Sequence, residues 1–257
     1  MRELELLAAL ERRGLIVGVE HDAAEIAGLV VTQDALVEGV HFRFDLLDWH
    51  ELGYRAAAVN ISDLAACGAE PLALFVSLAA PHLDDAVALY EGIAEAGVPV
   101  RGGDTTASSH VVLGVTALGR SDRVPGRAGA QPGDHVVVTG PLGATAVGFR
   151  EGRLPRPPRR VDEGKRLARV ATAMLDISDG LGVDASHIAS RSGVRIALDL
   201  DAVPLAPGAT RDDLAFGEDY ELLATTPEPL GFTVIGRVEA GSGVAPQLGG
   251  WEHFVEP

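Results

Sequence analysis

Six aspartates, Asp22, Asp34, Asp63, Asp104, Asp176 and Asp179, sit in short glycine- and alanine-flanked turns directly after apolar runs. Carboxylates at strand ends can converge on one cleft from distant parts of a chain, an arrangement that suits divalent cations and the phosphates they carry. Gly102-Gly103-Asp104-Thr105-Thr106 is the most specific of these segments. Its glycines let the backbone approach a phosphate, its aspartate can hold Mg²⁺, and its threonines can donate hydroxyl hydrogen bonds. An ordinary strand-end turn with a capping aspartate has the same composition, so both readings stand.

In Asp176-Ile177-Ser178-Asp179-Gly180, Ser178 or Asp179 is placed to cap the helix that follows. A cap uses one acid and leaves the other for chemistry. In Asn60-Ile61-Ser62-Asp63-Leu64-Ala65-Ala66, a carboxylate lies in a largely apolar helical pattern, where an unpaired charge is costly to bury. Either Asp63 faces solvent or something cationic meets it. His41, after Gly39-Val40, reads as a phosphate or carbonyl ligand or as a structural histidine. Glu218-Asp219 reads first as a solvated acidic turn before a strand, and Trp251 as a core plug or a stacking surface. Arg127 can reach a phosphate from a connecting segment or simply face solvent.

Composition narrows the chemistry. With 21 basic and 37 acidic residues, the formal charge of −16 repels nucleic acid and anionic membranes. A nucleotide remains accessible if divalent cations neutralise both partners. Lys165 is the only lysine, and Gly164-Lys165-Arg166 lacks the upstream glycine and downstream Ser/Thr of a P-loop. Phosphoryl transfer here would therefore use metal ions, arginine and backbone N–H groups. The single Cys67 excludes an intrachain disulfide, and the acidic start Met1-Arg2-Glu3-Leu4-Glu5 is unlike a secretory signal. No apolar run reaches the roughly 20 residues of a membrane span, so a soluble, cytoplasmic protein is expected.

The elements that must position these acids are legible as periodicities. Helices are expected over 3–13, 49–66, 83–96, from 144, 163–171 and 181–192. Strands are expected between Gly14 and Gly18, over 29–32 with Asp34 at the exit, and over 71–79, 98–101, 111–118, 135–139, 173–177, 195–200, 220–225 and 233–238. Residues 39–42 read as a short continuation or bulge. The stretch from Gly119 to Asp134, rich in Arg, Gly and Pro, reads as a domain connection with the boundary near Gln131. Arg153 to Arg160, with three prolines and four arginines, reads as an extended surface segment.

Taken in order, these segments resemble the thiamine-monophosphate kinase family, part of a superfamily with aminoimidazole ribonucleotide synthetase, selenophosphate synthetase and a hydrogenase maturation protein. The resemblance spans nearly the whole chain. It is strongest in Leu36-Val37-Glu38-Gly39-Val40-His41-Phe42, Ala58 to Ala66, Gly102 to Thr106, Asp176 to Gly180 and Gly217-Glu218-Asp219-Tyr220-Glu221-Leu222. It implies an α+β fold of two mixed α/β domains, 1–131 binding ATP and Mg²⁺ and dimerising, 132–257 completing the cleft. The N-terminal sheets would pair in a homodimer. The implied reaction moves the ATP γ-phosphoryl group directly onto thiamine monophosphate, giving thiamine diphosphate and ADP.

Several Mg²⁺ ions are implied on Asp22, Thr32, Asp34, Asp63, Asp104, Asp176 and Asp179, with Gly103, Asp104, Arg127 and Ser178 on ATP. His41, Glu218 and Trp251 match substrate positions, and no dedicated base or nucleophile is implied. The family's usual Gly-Asp-Asp is Glu20-His21-Asp22 here, so an ion near His21 would be lost, held through water, or replaced by Mn²⁺. Gln33 and Phe216 also depart from the usual residues, and the second half is short around 150–160, 207–216 and 227–232. Two rival readings are a sister ATP-dependent enzyme with a changed acceptor pocket and a nucleotide-binding regulator without turnover.

Overall fold

The longest apolar periodicity in the chain becomes its central helix. In a computed structural model describing residues 3–16 and 21–251, α1 (Glu3–Arg12) comes first and α2 spans Trp49–Ala66. Asp48 caps α2 by accepting the Glu51 N–H at 2.8 Å, and Gly68, at φ 62°, turns the chain away after Cys67. Its alanine-rich surface is buried nearly all round, which allows packing on both sides.

One side meets a five-stranded sheet of β1 (Ala24–Ile26), β2 (Leu29–Val37), β3 (Glu70–Ala80), β4 (Val100–Ala107) and β5 (Val112–Arg120), in the order β1-β2-β5-β3-β4. All its pairs are antiparallel except β3 with β4. That parallel step is made by α3 (Ala86–Glu95), as parallel strands require a long crossover. Helices α2 and α3 touch backbone to backbone at Gly53 and Gly92, where an added Cβ would lie 1.9 Å from Leu89 O and His50 O respectively.

The second sheet has six strands, β6 (His135–Val138), β7 (Ala173–Asp176), β8 (Arg195–Leu198), β9 (Leu222–Thr226), β10 (Thr233–Glu239) and β11 (Gly243–Ala245). Their order is β11-β8-β10-β6-β9-β7. Helices α4 (Ala144–Arg150), α5 (Val161–Ala168) and α6 (Leu181–Ser192) and a 3-10 turn, Arg211–Ala215, complete this half. Each sheet has its own apolar core. A third cluster joins them, with Ala65 and Ala66 of α2 packed among Leu167, Ala168, Met174 and Leu222. The end of α2 is thus wedged between the two sheets, and this is where Asp63 lies.

Several elements differ from the expectations. β2 runs on to Val37, so Asp34 lies within a strand and not at its exit. Gly102 to Thr106 is extended and paired with β3, not a turn. Turn-like composition misled there, because β4 is exposed along nearly its whole length and carries no apolar alternation. The helix expected over 83–96 spans Ala86–Glu95, and that over 163–171 spans Val161–Ala168. Leu15 and Ile16 are not in a strand, and the rest of that expected strand lies outside the described residues. Strands β1 and β11 and the 3-10 turn were not foreseen. Residues 153–160 carry no regular element, and among the described residues no helix is long and apolar enough to cross a membrane.

Candidate active site

On β2, residues two apart share a face, so Thr32 and Asp34 point the same way as the buried Val30 and Leu36. That face looks onto α2. Thr32 Oγ1 donates to Asp63 Oδ2 at 2.5 Å, and the Asp34 N–H donates to Asn60 Oδ1 at 3.1 Å. Asn60 is itself fixed by donating to Ala56 O at 2.9 Å. Two positions further along α2, Ser62 donates to Asp176 Oδ2 at 2.5 Å, tying the helix to the end of β7. Asp22 completes the group. Its Oδ1 accepts from Arg127 Nε at 2.8 Å, and its Oδ2 from the Asp176 N–H at 3.2 Å.

Asp22, Asp34, Asp63 and Asp176 therefore gather between the two sheets, with Arg127 the one cation paired to them among the described residues. Burial pushes the Asp34 carboxyl up to about 6, helped by the charge of Asp22 and opposed by a hydrogen bond with Asp63. Burial, then Asp22, pushes Asp176 up to about 8, against the Ser62 hydrogen bond. Asp63 is raised well above the carboxylate range by burial and by the charges of Asp34, Asp176 and Asp22. Asp22 is raised by burial despite Arg127. Crowded, dehydrated carboxylates of this kind are relieved by a divalent cation, and the all-oxygen donor set with the Thr32 hydroxyl fits Mg²⁺. Beside Asp22, His21 Nδ1 is buried without a hydrogen-bond partner.

Other expected site residues lie around this group or away from it. Asp179 follows β7, and its carbonyl accepts the Trp251 N–H at 2.8 Å. Trp251 is 54% exposed and is the last described residue. Neither Ser178 nor Asp179 caps α6, contrary to expectation. Gly180 is the cap, and Asp184 reaches back to accept the N–H groups of Asp179 and Gly180, each at 3.0 Å. His41 Nδ1 accepts the Val37 N–H at 3.1 Å, which closes the turn after β2.

Glu218-Asp219 is not a solvated turn. Gly217 packs so closely that a Cβ would lie 2.3 Å from Ser178 O, and the Glu218 N–H donates to that same oxygen at 2.8 Å. Glu218, at φ 60°, pairs with Arg55 of α2, which is 3% exposed, and accepts from the Tyr220 hydroxyl at 3.3 Å. Asp219 accepts the Gly143 N–H at 2.9 Å. The segment is thereby stapled beside Ser178 with one acid aimed toward α2.

Asp104 and Gly103 stand apart within this chain. Asp34 is level with Val115, Val115 with Val76, and Val76 with Gly103. Three strand spacings, roughly 14 Å, separate β2 from β4 at that level. Sequence reasoning passed over Arg55, Asn60, Ser62, Asp184 and His187. The available signal was polar residues recurring on an otherwise apolar α2, since buried polar groups need partners.

Known proteins resemble this chain in sequence and in fold. The domain "AIR synthase related protein, N-terminal domain" matches residues 20–121. Thiamine-monophosphate kinase of Pyrococcus horikoshii is 36% identical, covering 88% of this chain and 86% of its own. That of Mycobacterium tuberculosis is 35% identical over 95% and 87%. The solved Aquifex aeolicus thiamine monophosphate kinase superposes with TM-score 0.82 at 33% identity, covering all of both chains. AaThiL complexed with AMPPCP and TMP superposes with TM-score 0.90 at 31% identity, covering 98% of this chain and 97% of that one.

Proposed function

This chain belongs to the thiamine-monophosphate kinase family, and we infer from that membership and from its carboxylate cluster that it phosphorylates thiamine monophosphate with ATP. The products are thiamine diphosphate and ADP, which places the enzyme in thiamine diphosphate biosynthesis. The observation that carries the chemistry is the grouping of Asp22, Asp34, Asp63 and Asp176 between the two sheets, near enough for their charges to act on one another. The acceptor is already an anionic phosphate, so alignment and charge neutralisation can replace a strong base. No side chain is assigned as nucleophile.

Asp22, Thr32, Asp34, Asp63, Asp176 and Asp179 are the proposed Mg²⁺ ligands. When bound, the ions neutralise the phosphate charge that builds up in transfer. Thr32 and Ser62 orient the carboxylates of Asp63 and Asp176, while Asn60 fixes the backbone of Asp34. Gly103, Asp104, Arg127 and Ser178 are proposed for ATP, and His41, Glu218 and Trp251 for the acceptor. Arg55 holds Glu218 in place for that role.

We further propose a homodimer through the N-terminal sheets. β4 is an exposed edge strand, and Asp104 is too far across the sheet to join Asp34 in the same chain. A second copy setting its β1-β2 edge against β4 would bring Gly103 and Asp104 toward that copy's cluster. The domain division proposed is 1–131 for ATP, Mg²⁺ and dimerisation and 132–257 for closing the cleft. A cytoplasmic location fits a biosynthetic enzyme with no membrane-spanning helix among the described residues.

A sister activity is disfavoured because the superposing hydrogenase maturation structures are only 18–20% identical and so speak to the fold alone. Anion-exchange analysis after incubation with ATP, Mg²⁺ and thiamine monophosphate tests the reaction. Thiamine diphosphate and ADP should appear together. ATP binding without either product would favour the regulator reading. Mixing Asp104→Asn with Asp63→Asn chains tests the dimer: activity should reappear in the mixture, and its absence despite subunit exchange would place Asp104 in its own chain's site.

A further inference from the structure

At the start of α6, beside the carboxylate cluster, Asp179, Asp184 and His187 each offer one ligand atom, and these atoms all lie within 4.8 Å of one another. Asp184 and His187 are three apart on a helix and so share a face, a spacing that suits joint coordination. Both hydrogen bonds that Asp184 accepts fall on Oδ2, from the N–H groups of Asp179 and Gly180, which leaves Oδ1 for a cation. Asp184 is 3% exposed, and none of the ion pairs among the described residues involves Asp184 or His187. A carboxylate buried this deeply with no cation in contact, and with Arg127 acting on it only at longer range, is the kind of group that a metal ion compensates.

We infer that Asp179, Asp184 and His187 form a second divalent-cation site, of mixed oxygen and nitrogen donors, distinct from the all-oxygen cluster of Asp22, Asp34, Asp63 and Asp176. An ion about 2.1 Å from each donor sets the donors roughly 3.0–3.4 Å apart, so a pair at the 4.8 Å limit closes by about 1.4 Å when the ion binds. The imidazole makes the site prefer Mn²⁺ or Zn²⁺ over Mg²⁺. His187 suits that role because burial, with Arg127 and Arg191 nearby, lowers its pKa to about 4 and keeps the ring neutral with a lone pair to give. The positive charge of Arg127 is already answered by Asp22, so it opposes an ion here less than a free guanidinium would. The same Asp184 that holds the Asp179–Gly180 backbone would then also fix the ion, linking the loop after β7 to the first turns of α6.

The inference takes Asp179 from the proposed Mg²⁺ set, and its test reads metal binding, so failure of this site and failure of the kinase reading are told apart. Zn²⁺ is titrated calorimetrically into the full-length protein in excess Mg²⁺. The wild type and Asp63→Asn should both show a Zn²⁺ event, weakened about tenfold or more in His187→Gln and in Asp184→Asn. Asn at 184 keeps an oxygen acceptor for the two backbone N–H groups, so it isolates the loss of charge. Equal Zn²⁺ affinity in wild type and His187→Gln, or loss of the event in Asp63→Asn alone, would overturn the site. Anomalous scattering from a Zn²⁺-soaked wild-type crystal decides the matter if the variants fail to fold. A peak bonded to His187 supports the site, and density confined to the carboxylate cluster refutes it.

Discussion

Asp34→Asn tests the electrostatic account of the carboxylate cluster in metal-free protein. Burial and the charge of Asp22 lift the Asp34 carboxyl from 3.8 to about 6. A carboxyl with a raised folded-state pKa holds its proton more tightly when folded, so stability falls as pH rises. The loss is absent below the unfolded value of 3.8, grows across the interval and is complete above about 6. At about 1.4 kcal/mol per pH unit, the interval amounts to ~3 kcal/mol. Asparagine keeps the shape and removes the charge, so the variant should match the wild type near the acid end and exceed it by about that amount at neutral pH. Asp176, raised to about 8 in part by the charge of Asp34, continues the decline above 6 in the wild type, and without that charge the decline ends at lower pH in the variant. Urea unfolding in EDTA, stepped from acid to neutral pH, measures both curves. Added Mg²⁺ should then stabilise the wild type more than the variant, by ligand linkage. Parallel curves between the two pKa values would refute the account.

Three further outcomes are expected. Asp63→Asn should lower ADP formation at least about a hundredfold while circular dichroism stays unchanged; near-normal turnover would remove Asp63 from the metal set. Arg55→Met should raise KM for thiamine monophosphate more than it lowers kcat, because it frees Glu218 from its partner. Its cost in thermal unfolding should fall below the roughly 3–5 kcal/mol of a fully buried pair, since the Glu218 side chain keeps 29% exposure. Gly92→Ala should cost about 1–3 kcal/mol by forcing α3 off α2, and an unchanged melting temperature would contradict the close contact with His50 O.

The helices that carry the site were legible because they repeat an apolar period, and α2 and α6 begin and end where that period does. Of β4 only the start, Val100 and Arg101, fell within an expected strand; the rest did not, because an edge strand exposed on both faces has no pattern to show and glycine with aspartate reads as a turn. The acids themselves could be picked out, but not their distribution in space. Asp34 and Asp104 looked alike in sequence, and strand order alone puts one in the cluster and the other three strands away. Partners such as Ser62 and Arg55 escaped because a lone polar residue on an apolar helix gives no sign of what it meets. Asp184 escaped for another reason: a cap that reaches backward from the first turn looks like any acid near a helix start.

Arg127 grips Asp22 through Nε and a terminal nitrogen, at 2.8 and 2.7 Å, and thereby occupies a carboxylate that a metal ion would also want. Uptake of an ion at Asp22 is then an exchange of one cation for another. The measured affinity for the first ion is a difference between two attractions, smaller than the bare charge of the cluster would give. The displaced guanidinium still has the charges of Asp176 and Asp184 near it, and in its proposed role it turns the remainder toward the phosphates of an incoming nucleotide. Ion and nucleotide should each tighten the binding of the other by the same factor, as any two ligands linked through a shared competitor must.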